Sequence, residues 1–295
     1  MKSIRIAFAT LLICISIVSF SQKPINLKFN LAKGKGFDYS VNMAVTTTGT
    51  AGGQSINVKN TMTFGYRFDV VDDSSGWKKM QATISKIAMD ISAGGQNINY
   101  DSDEPVDTSD VMNSTFANVM GTLKGSQFEF IMNANGKVGY VHGINEMVQK
   151  MKDQDSSDDM AAGMAGAFDE ESFKQNLQQS FGLYPGKPVK PGDTWTGTTN
   201  TMSNDIELKM DNVYTLESVT GNIATVKVNS KISSPSSETI TSMNGSYHGT
   251  MQFDIPTGIP SNGDVDMILN INVNAGGQSI PMKTDIKMKI TGKKY

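Results

Sequence analysis

The run Val265-Asp266-Met267-Ile268-Leu269-Asn270-Ile271-Asn272-Val273-Asn274-Ala275-Gly276-Gly277-Gln278-Ser279-Ile280-Pro281-Met282-Lys283-Thr284-Asp285-Ile286-Lys287-Met288-Lys289-Ile290 decides how this 295-residue chain is read. Val265, Met267, Leu269, Ile271 and Val273 share one parity and alternate mostly with Asp and Asn. Ile280, Met282, Ile286, Met288 and Ile290 then alternate with Lys283, Asp285, Lys287 and Lys289. A period of two predicts strands with one dry face and one wet face, the pattern of an antiparallel sheet. Between them, Gly276-Gly277 supplies the positive φ angles of a tight hairpin turn.

Working outward, Ala-Gly-Gly-Gln recurs at 51–54 and 93–96, again between alternating runs. No helical pattern follows any copy and no Lys-Ser/Thr pair completes a phosphate loop, so these are hairpin tips. Their unequal spacing rules out a solenoid. Ile25, Leu27, Phe29 and Leu31 alternate near the start, followed by Phe37, Tyr39, Val41, Met43 and Val45. Ile56, Val58, Met62, Phe64, Tyr66, Phe68 and Val70 form the next set. Met80, Ala82 and Ile84 change phase to Ile87, Met89 and Ile91, which predicts a β-bulge near Ser85-Lys86. Later, Ala224, Val226 and Val228 share one face and Tyr247, Met251 and Phe253 another.

The middle differs. Asp107-Thr108-Ser109-Asp110 caps a helix carrying Val111, Phe116, Val119, Met120 and Leu123. Phe128, Phe130 and Met132 alternate, Asn135-Gly136 turns, and Val138 with Tyr140 returns as a hairpin. Helices follow over 144–152 and 171–181, separated by a mobile acidic linker over 153–166. The expected class is α+β and β-rich: a large, curved, half-barrel-like antiparallel sheet with a helical middle segment, the alternative being a two-layer β-sandwich. Strands occupy 25–100 and 195–291, and the helical insert with its hairpin occupies 107–182, all within one domain over 22–295.

Lys2 and Arg5, the apolar run from Ile6 to Phe20 and small residues at Ser19 and Ser21 read as a secretory signal peptide over 1–21, cut near Ser21-Gln22. The bulky Ile13 before Cys14 does not suit lipidation. Removing 1–21 leaves 24 basic and 29 acidic residues, a net charge of −5 and no cysteine. The expected location is periplasmic or extracellular, with no transmembrane segment after cleavage and no disulfide, so stability must come from a buried core. The absence of a basic excess argues against nucleic acid as a partner.

Leu183-Tyr184-Pro185-Gly186-Lys187-Pro188-Val189-Lys190-Pro191-Gly192-Asp193-Thr194-Trp195-Thr196 and the segment from Leu27 to Tyr39 carry a resemblance. So do Gly245 to Asp254 and Thr257-Gly258-Ile259-Pro260. Together they resemble an uncharacterised family of exported Bacteroidetes-type proteins, a domain of unknown function (DUF6263), over nearly the whole mature chain. The resemblance implies export and a β-rich fold, and no activity or site residues.

Reactive chemistry is sparse. His142 and His248 are isolated and read as surface histidines. No His-Glu-x-x-His, Gly-x-Ser-x-Gly or helix-opening Gly-x-Gly-x-x-Gly occurs. The acidic run Asp153 to Asp159 opens like a calcium loop but has Asp158 at the sixth position and Met164 at the twelfth. Asp101, Asp103, Glu104 and Asp107 form a second acidic group. Trp195 follows a turn and anchors a strand into the core. No catalytic residue, metal ligand or cofactor is assigned, and the ligand-binding residues are unknown.

Methionine is plentiful on the apolar phases: Met43, Met62, Met80, Met89, Met210, Met251, Met267, Met282 and Met288. Such residues fill irregular cores or line surfaces that accept varied apolar partners. About ten strands of ~30 Å at ~4.8 Å spacing make a dry face of roughly 1,400 Å². Three short helices cover about half of it. The remainder must be curled inward, packed as a second layer, or filled by a ligand. The leading expectation is a non-enzymatic protein that binds or carries an apolar small molecule or lipid in the periplasm or cell envelope. The alternative is a structural or protein-interaction module with an envelope protein as partner, and the third is a hydrolase with unidentified carboxylates.

Overall fold

Alternation this regular leaves the backbone no partner but another strand, and one sheet results. The computed structural model describes residues 23–93, 96–106, 109–154, 169–203, 206–237, 239–275 and 277–295. The first four strands are β1 (Gly36–Ala51), β2 (Gln54–Ser74), β3 (Trp77–Ala93) and β4 (Gln96–Asp101). The middle holds α1 (Val111–Gly121), β5 (Gln127–Asn133), β6 (Val138–His142), α2 (Ile144–Gln154) and α3 (Glu170–Phe181). The last six strands are β7 (Thr194–Ser203), β8 (Ile206–Thr220), β9 (Ile223–Ser234), β10 (Ile240–Asp254), β11 (Pro260–Ala275) and β12 (Gln278–Lys294).

All twelve strands join one antiparallel sheet in the order β6-β5-β3-β2-β1-β12-β11-β10-β9-β8-β7, with β4 beside β3. The two-sheet sandwich does not occur. Helix is confined to three short elements among the described residues, so the fold is mostly β and the helical middle is slighter than the α+β reading implied. The signal segment and most of the 153–166 linker lie outside the described residues, while Asp153 and Gln154 end α2.

The first and last strands pair in the centre of the sheet, from Phe37 opposite Lys294 to Gly49 opposite Met282. The middle of the chain therefore supplies both edges, β6 and β7, and α3 connects them. Helix α3 packs against both. At β6, the Val138 N–H donates to Gln178 Oε1 at 2.9 Å, and Gln178 Nε2 donates to the Gly136 carbonyl at 3.2 Å. At β7, Trp195 Nε1 donates to the carbonyl of Leu183, just past the helix, at 3.0 Å. Laid flat, the eleven strands of that path would hold their edges roughly 48 Å apart. A twelve-residue helix is only about 18 Å long and about 10 Å wide. The sheet therefore rolls until one helix spans its gap, and it stays open because β6 and β7 do not pair.

Phe181, at the end of α3, sits at the centre of the resulting core. Its ring lies 5.8 Å from those of Tyr39 and Phe68, 6.3 Å from Phe37 and 6.4 Å from Phe130. The segment 23–35 corrects the reading of a first strand. It alternates as expected, burying Leu27, Phe29 and Leu31, but among the described residues its one isolated bridge is between Ile25 and Val189. It instead crosses the base of the rolled sheet, with Phe29 N–H donating to the Ala134 carbonyl, Asn30 N–H to Thr257 and Gly34 N–H to Val70 at 2.7–2.8 Å. Alternation reports an extended backbone between two environments, and a lacing segment satisfies it as well as a strand does.

Other local readings hold. Lys86 faces Gly65 and Ile84 faces Tyr66, leaving Ser85 as the extra residue of a bulge. There β3 changes neighbour, from β5 along Trp77–Thr83 to β4 along Ala88–Ala93. The strands pair up to each Ala-Gly-Gly-Gln copy, with Ala51 opposite Gln54, Ala93 opposite Gln96 and Ala275 opposite Gln278, while Gly94, Gly95 and Gly276 lie outside the described residues. Asp110 caps α1 by accepting from the Asn113 N–H at 3.0 Å. Val111, expected on the buried face of that helix, is instead 80% exposed, because the helix packs through Phe116, Ala117, Val119 and Met120.

Gly136 and Gly52 both have positive φ, 76° and 56°. A Cβ at Gly136 would meet the Phe181 carbonyl oxygen at 1.9 Å, whereas one at Gly52 meets nothing within 4 Å. Gly52→Ala is expected to cost about 1–2 kcal/mol from backbone strain alone. Gly136→Ala should cost clearly more, because it also prises α3 from the hairpin. Denaturant unfolding of both variants checks this, and equal losses would contradict the seam described here.

Candidate functional site

The inward phase of the sheet, near the middle of the strands, carries Tyr39, Val41 and Met43 on β1 and Phe64, Tyr66 and Phe68 on β2. Register makes these one surface: Tyr39 is opposite Tyr66, Val41 opposite both Phe64 and Ile290, and Met43 opposite Met288. Tyr247 and Met251 of β10 and Phe128 of β5 continue it, and Phe173, Asn176, Leu177, Ser180 and Phe181 of α3 lie over it. Between helix and sheet is a cavity of about 410 Å³, within the ~300–1,000 Å³ typical of small-molecule sites.

Element lengths explain the space. Strands of 15 to 21 residues run roughly 50–70 Å, and α3 shields only part of that. Toward the base, Phe37, Tyr39, Phe68 and Phe253 are buried. Toward the hairpin tips, the same inward phase is only half-buried at Met43, Val45, Ile56, Val58, Met62, Met282, Ile286 and Met288. The cavity thus leads into an apolar trough along β2, β1 and β12.

Among the described residues lining the cavity there is no Asp, Glu, Lys, Arg or His. Its polar groups are phenols and α3 side chains. The Tyr39 hydroxyl is buried beside Ser180, whose own hydroxyl donates to the Asn176 carbonyl at 3.0 Å. Burial pushes the Tyr39 phenol well above its ordinary value; a hydrogen bond with Ser180 opposes that shift, and Tyr247 and Tyr66 add a little to it. Burial also pushes Tyr66 and Tyr247 up to about 12. Farther along the trough, Asn60, opposite Val45, has a buried oxygen without a partner.

The outward phase is charged. Asp264 stands opposite Lys289 and Asp266 opposite Lys287, unlike the apolar band of a membrane barrel. A second hollow of about 450 Å³ near the hairpin tips is lined by Thr48, Asn244, Asn270, Asn272 and Lys283 together with Ile271, Pro281 and Met282.

The residues singled out by sequence are not assembled into one place. His142 is exposed at the end of β6, 3.5 Å from Glu170, and His248 is exposed on the outward phase. Trp195 is buried and stacks on Tyr214 with ring centroids 5.7 Å apart. Asp101 and Asp103 are both engaged by Lys86, at 3.1 and 3.0 Å, and Asp103 also by Lys124 at 2.7 Å. Asp107 and most of the 153–164 run lie outside the described residues. Among the described residues no group of three or more His, Cys, Asp or Glu is placed to hold a metal ion, and no helix is long and apolar enough to cross a membrane. The methionines divide: Met80, Met210 and Met251 are buried core, while Met43, Met62, Met89, Met267, Met282 and Met288 are half-buried. The tyrosines Tyr39, Tyr66 and Tyr247 read in sequence as plain core positions, and their signal was a hydroxyl repeated on the apolar phase.

Since these phenols are held above the ordinary value of 10.0, the folded chain keeps protons that the unfolded chain releases. Stability is then fully present below about pH 10 and falls as pH rises toward about 12. Thermal unfolding across that range should show Tm dropping, with a shallower drop in Tyr66→Phe. An identical slope in that variant would contradict a buried neutral phenol.

No curated protein matches the chain. Among solved structures, a lipovitellin described for its lipid–protein interactions is similar over 90% of this chain and 25% of its own, with 10% identity and a TM-score of 0.50. This chain thus spans about a quarter of that protein's length. An outer membrane channel from Pseudomonas putida F1 aligns over 90% and 97% of the two chains at 6% identity and a TM-score of 0.27. The translocator domain of the autotransporter NalP from Neisseria meningitidis aligns over 90% of each chain at 8% identity and 0.24. The family described as a family of unknown function (DUF6263) matches residues 75–260. That match takes in Leu183–Thr196 and Gly245–Pro260 but not Leu27–Tyr39, so it is shorter than the resemblance read from sequence. It covers more than half of the sequence, and the chain belongs to the DUF6263 family.

Proposed function

We propose that this protein is a non-enzymatic binder or carrier of an apolar, lipid-like ligand, held between α3 and the half-barrel-like sheet. In this reading residues 22–295 form one exported domain, residues 1–21 are removed, and the protein works in the periplasm or cell envelope. The single observation that carries it is the cavity of about 410 Å³ lined mostly by Met, Phe, Tyr and aliphatic side chains, with Asn176, Gln179 and Ser180 of α3 on one wall, and sharing Met43 and Met288 with the half-buried trough. An apolar hollow of this size lacks partner atoms for its lining, and filling it with hydrocarbon recovers both dispersion contacts and hydrophobic burial. Half-buried methionines suit a ligand of variable shape, because the unbranched side chain repacks at low cost. The lipovitellin structure, one of lipid–protein interactions, agrees with this reading at the level of the fold. A packed interior would have favoured the interaction module instead, and a cleft with two carboxylates the hydrolase; the lining has neither character.

The test is native mass spectrometry on protein purified from its own envelope, followed by lipid extraction. A lipid-sized adduct at about one per chain is expected, and uniformly ligand-free protein would contradict the proposal. In parallel, Val41→Trp places an indole in the cavity. It should weaken binding of an apolar fluorescent dye at least tenfold while cooperative unfolding is retained.

A further inference from the structure

Strand register sets four methionines side by side on the inward face. Met288 of β12 is opposite Met43 of β1, Met43 is opposite Met62 of β2, and Met62 is opposite Met89 of β3. We propose that this row is an oxidation site: a peroxide converts its thioethers to sulfoxides, and the bound apolar ligand is released. The proposal rests on the apolar-ligand reading and adds a regulation of that same site.

Three observations carry it. First, the row differs from its neighbours on the same face. One step toward the base stand Ile290, Val41, Phe64 and Ile87, and one step toward the hairpin tips stand Ile286, Val45, Asn60 and Ile91. Branched and aromatic side chains are what strands favour, and methionine is not among them. Second, all four methionines are half-buried and so within reach of a small oxidant, whereas Met80, Met120, Met147 and Met151 are at most 1% exposed. Third, Met43 and Met288 line the cavity itself. Directly opposed side chains have Cβ atoms ~4.5–5.5 Å apart, so Met62 and Met89 extend that wall sideways. The step balances with the peroxide as sole co-reactant. Sulfur gives up two electrons, the O–O bond breaks, one oxygen forms the S–O bond, and the other leaves hydrogen peroxide as water. The product is polar where the thioether was apolar and adaptable. Apart from Asn60, the flanking positions carry no donor for the new oxygen, so it turns to water and draws the side chain away from hydrocarbon.

The test treats the full chain with hydrogen peroxide and follows the binding of an apolar fluorescent dye together with peptide masses. Met43, Met62, Met89 and Met288 are expected to gain one oxygen each before the buried methionines do. Dye affinity should fall about tenfold or more over the same interval. The variant M43L/M62L/M89L/M288L, which nearly conserves volume, should bind the dye beforehand and keep its affinity within about twofold afterwards. If that variant fails to fold or to bind, the wild-type chain supplies a second measurement. Saturating dye should slow oxidation of the row severalfold and leave that of Met112 on α1, 40% exposed, unchanged. Dye affinity that survives full oxidation of the row, an equal loss in the leucine variant, or a row oxidised no more slowly under dye overturns the oxidation site while the apolar cavity stands. Failure of the untreated wild-type chain to bind the dye overturns the apolar-ligand reading itself.

Discussion

The structure depends on one helix holding two edges. Pairing β1 with β12 places the chain ends at the centre of the sheet and its middle at both margins. Helix α3 then touches β6 on one side and β7 on the other. Because that helix is far narrower than the flat sheet, contact with both margins forces the curl. The curl in turn brings Tyr39, Phe68, Phe130 and Phe181 around a common centre. It also shelters two edge strands that would otherwise be free to pair with another chain.

Length mismatch then creates the site. A helix of 12 residues cannot cover strands of 15 to 21, so burial fades from Phe37 toward Met43 along one face of β1. Where the helix stops sealing, the cavity begins. A core closed along its whole length would need either a longer helix or shorter strands. The half-buried methionines occupy the zone in between, where a flexible side chain costs least.

Much of this was legible from the sequence because two-residue periodicity reports directly on a half-buried sheet. Met80 to Ile91 showed their bulge through a change of phase, and the Ala-Gly-Gly-Gln copy at 51–54 showed its turn through the positive φ of Gly52 and Gly53. The segment Ile25 to Leu31 misled because alternation cannot distinguish a ladder strand from an extended lacing across the base. Val111 misled because an apolar residue in the first turn of a helix need not face the core. The site itself was only half legible. Methionine on the apolar phase hinted at it, but the approach of β1, β2, β10 and α3 is a tertiary fact that no local pattern carries. Tyr39, Tyr66 and Tyr247 come from distant stretches of chain, and only the roll of the sheet makes them neighbours.

The central claim is that the edges of the sheet are drawn together across α3, and a distance settles it. Spin labels at Tyr140→Cys on β6 and Thr198→Cys on β7, both exposed positions, in a chain carrying Cys14→Ser as well, report that distance by pulsed electron resonance. One narrow distribution centred below about 30 Å, the breadth of a helix plus label linkers, is expected. A distribution near the roughly 48 Å of an unrolled sheet would contradict it.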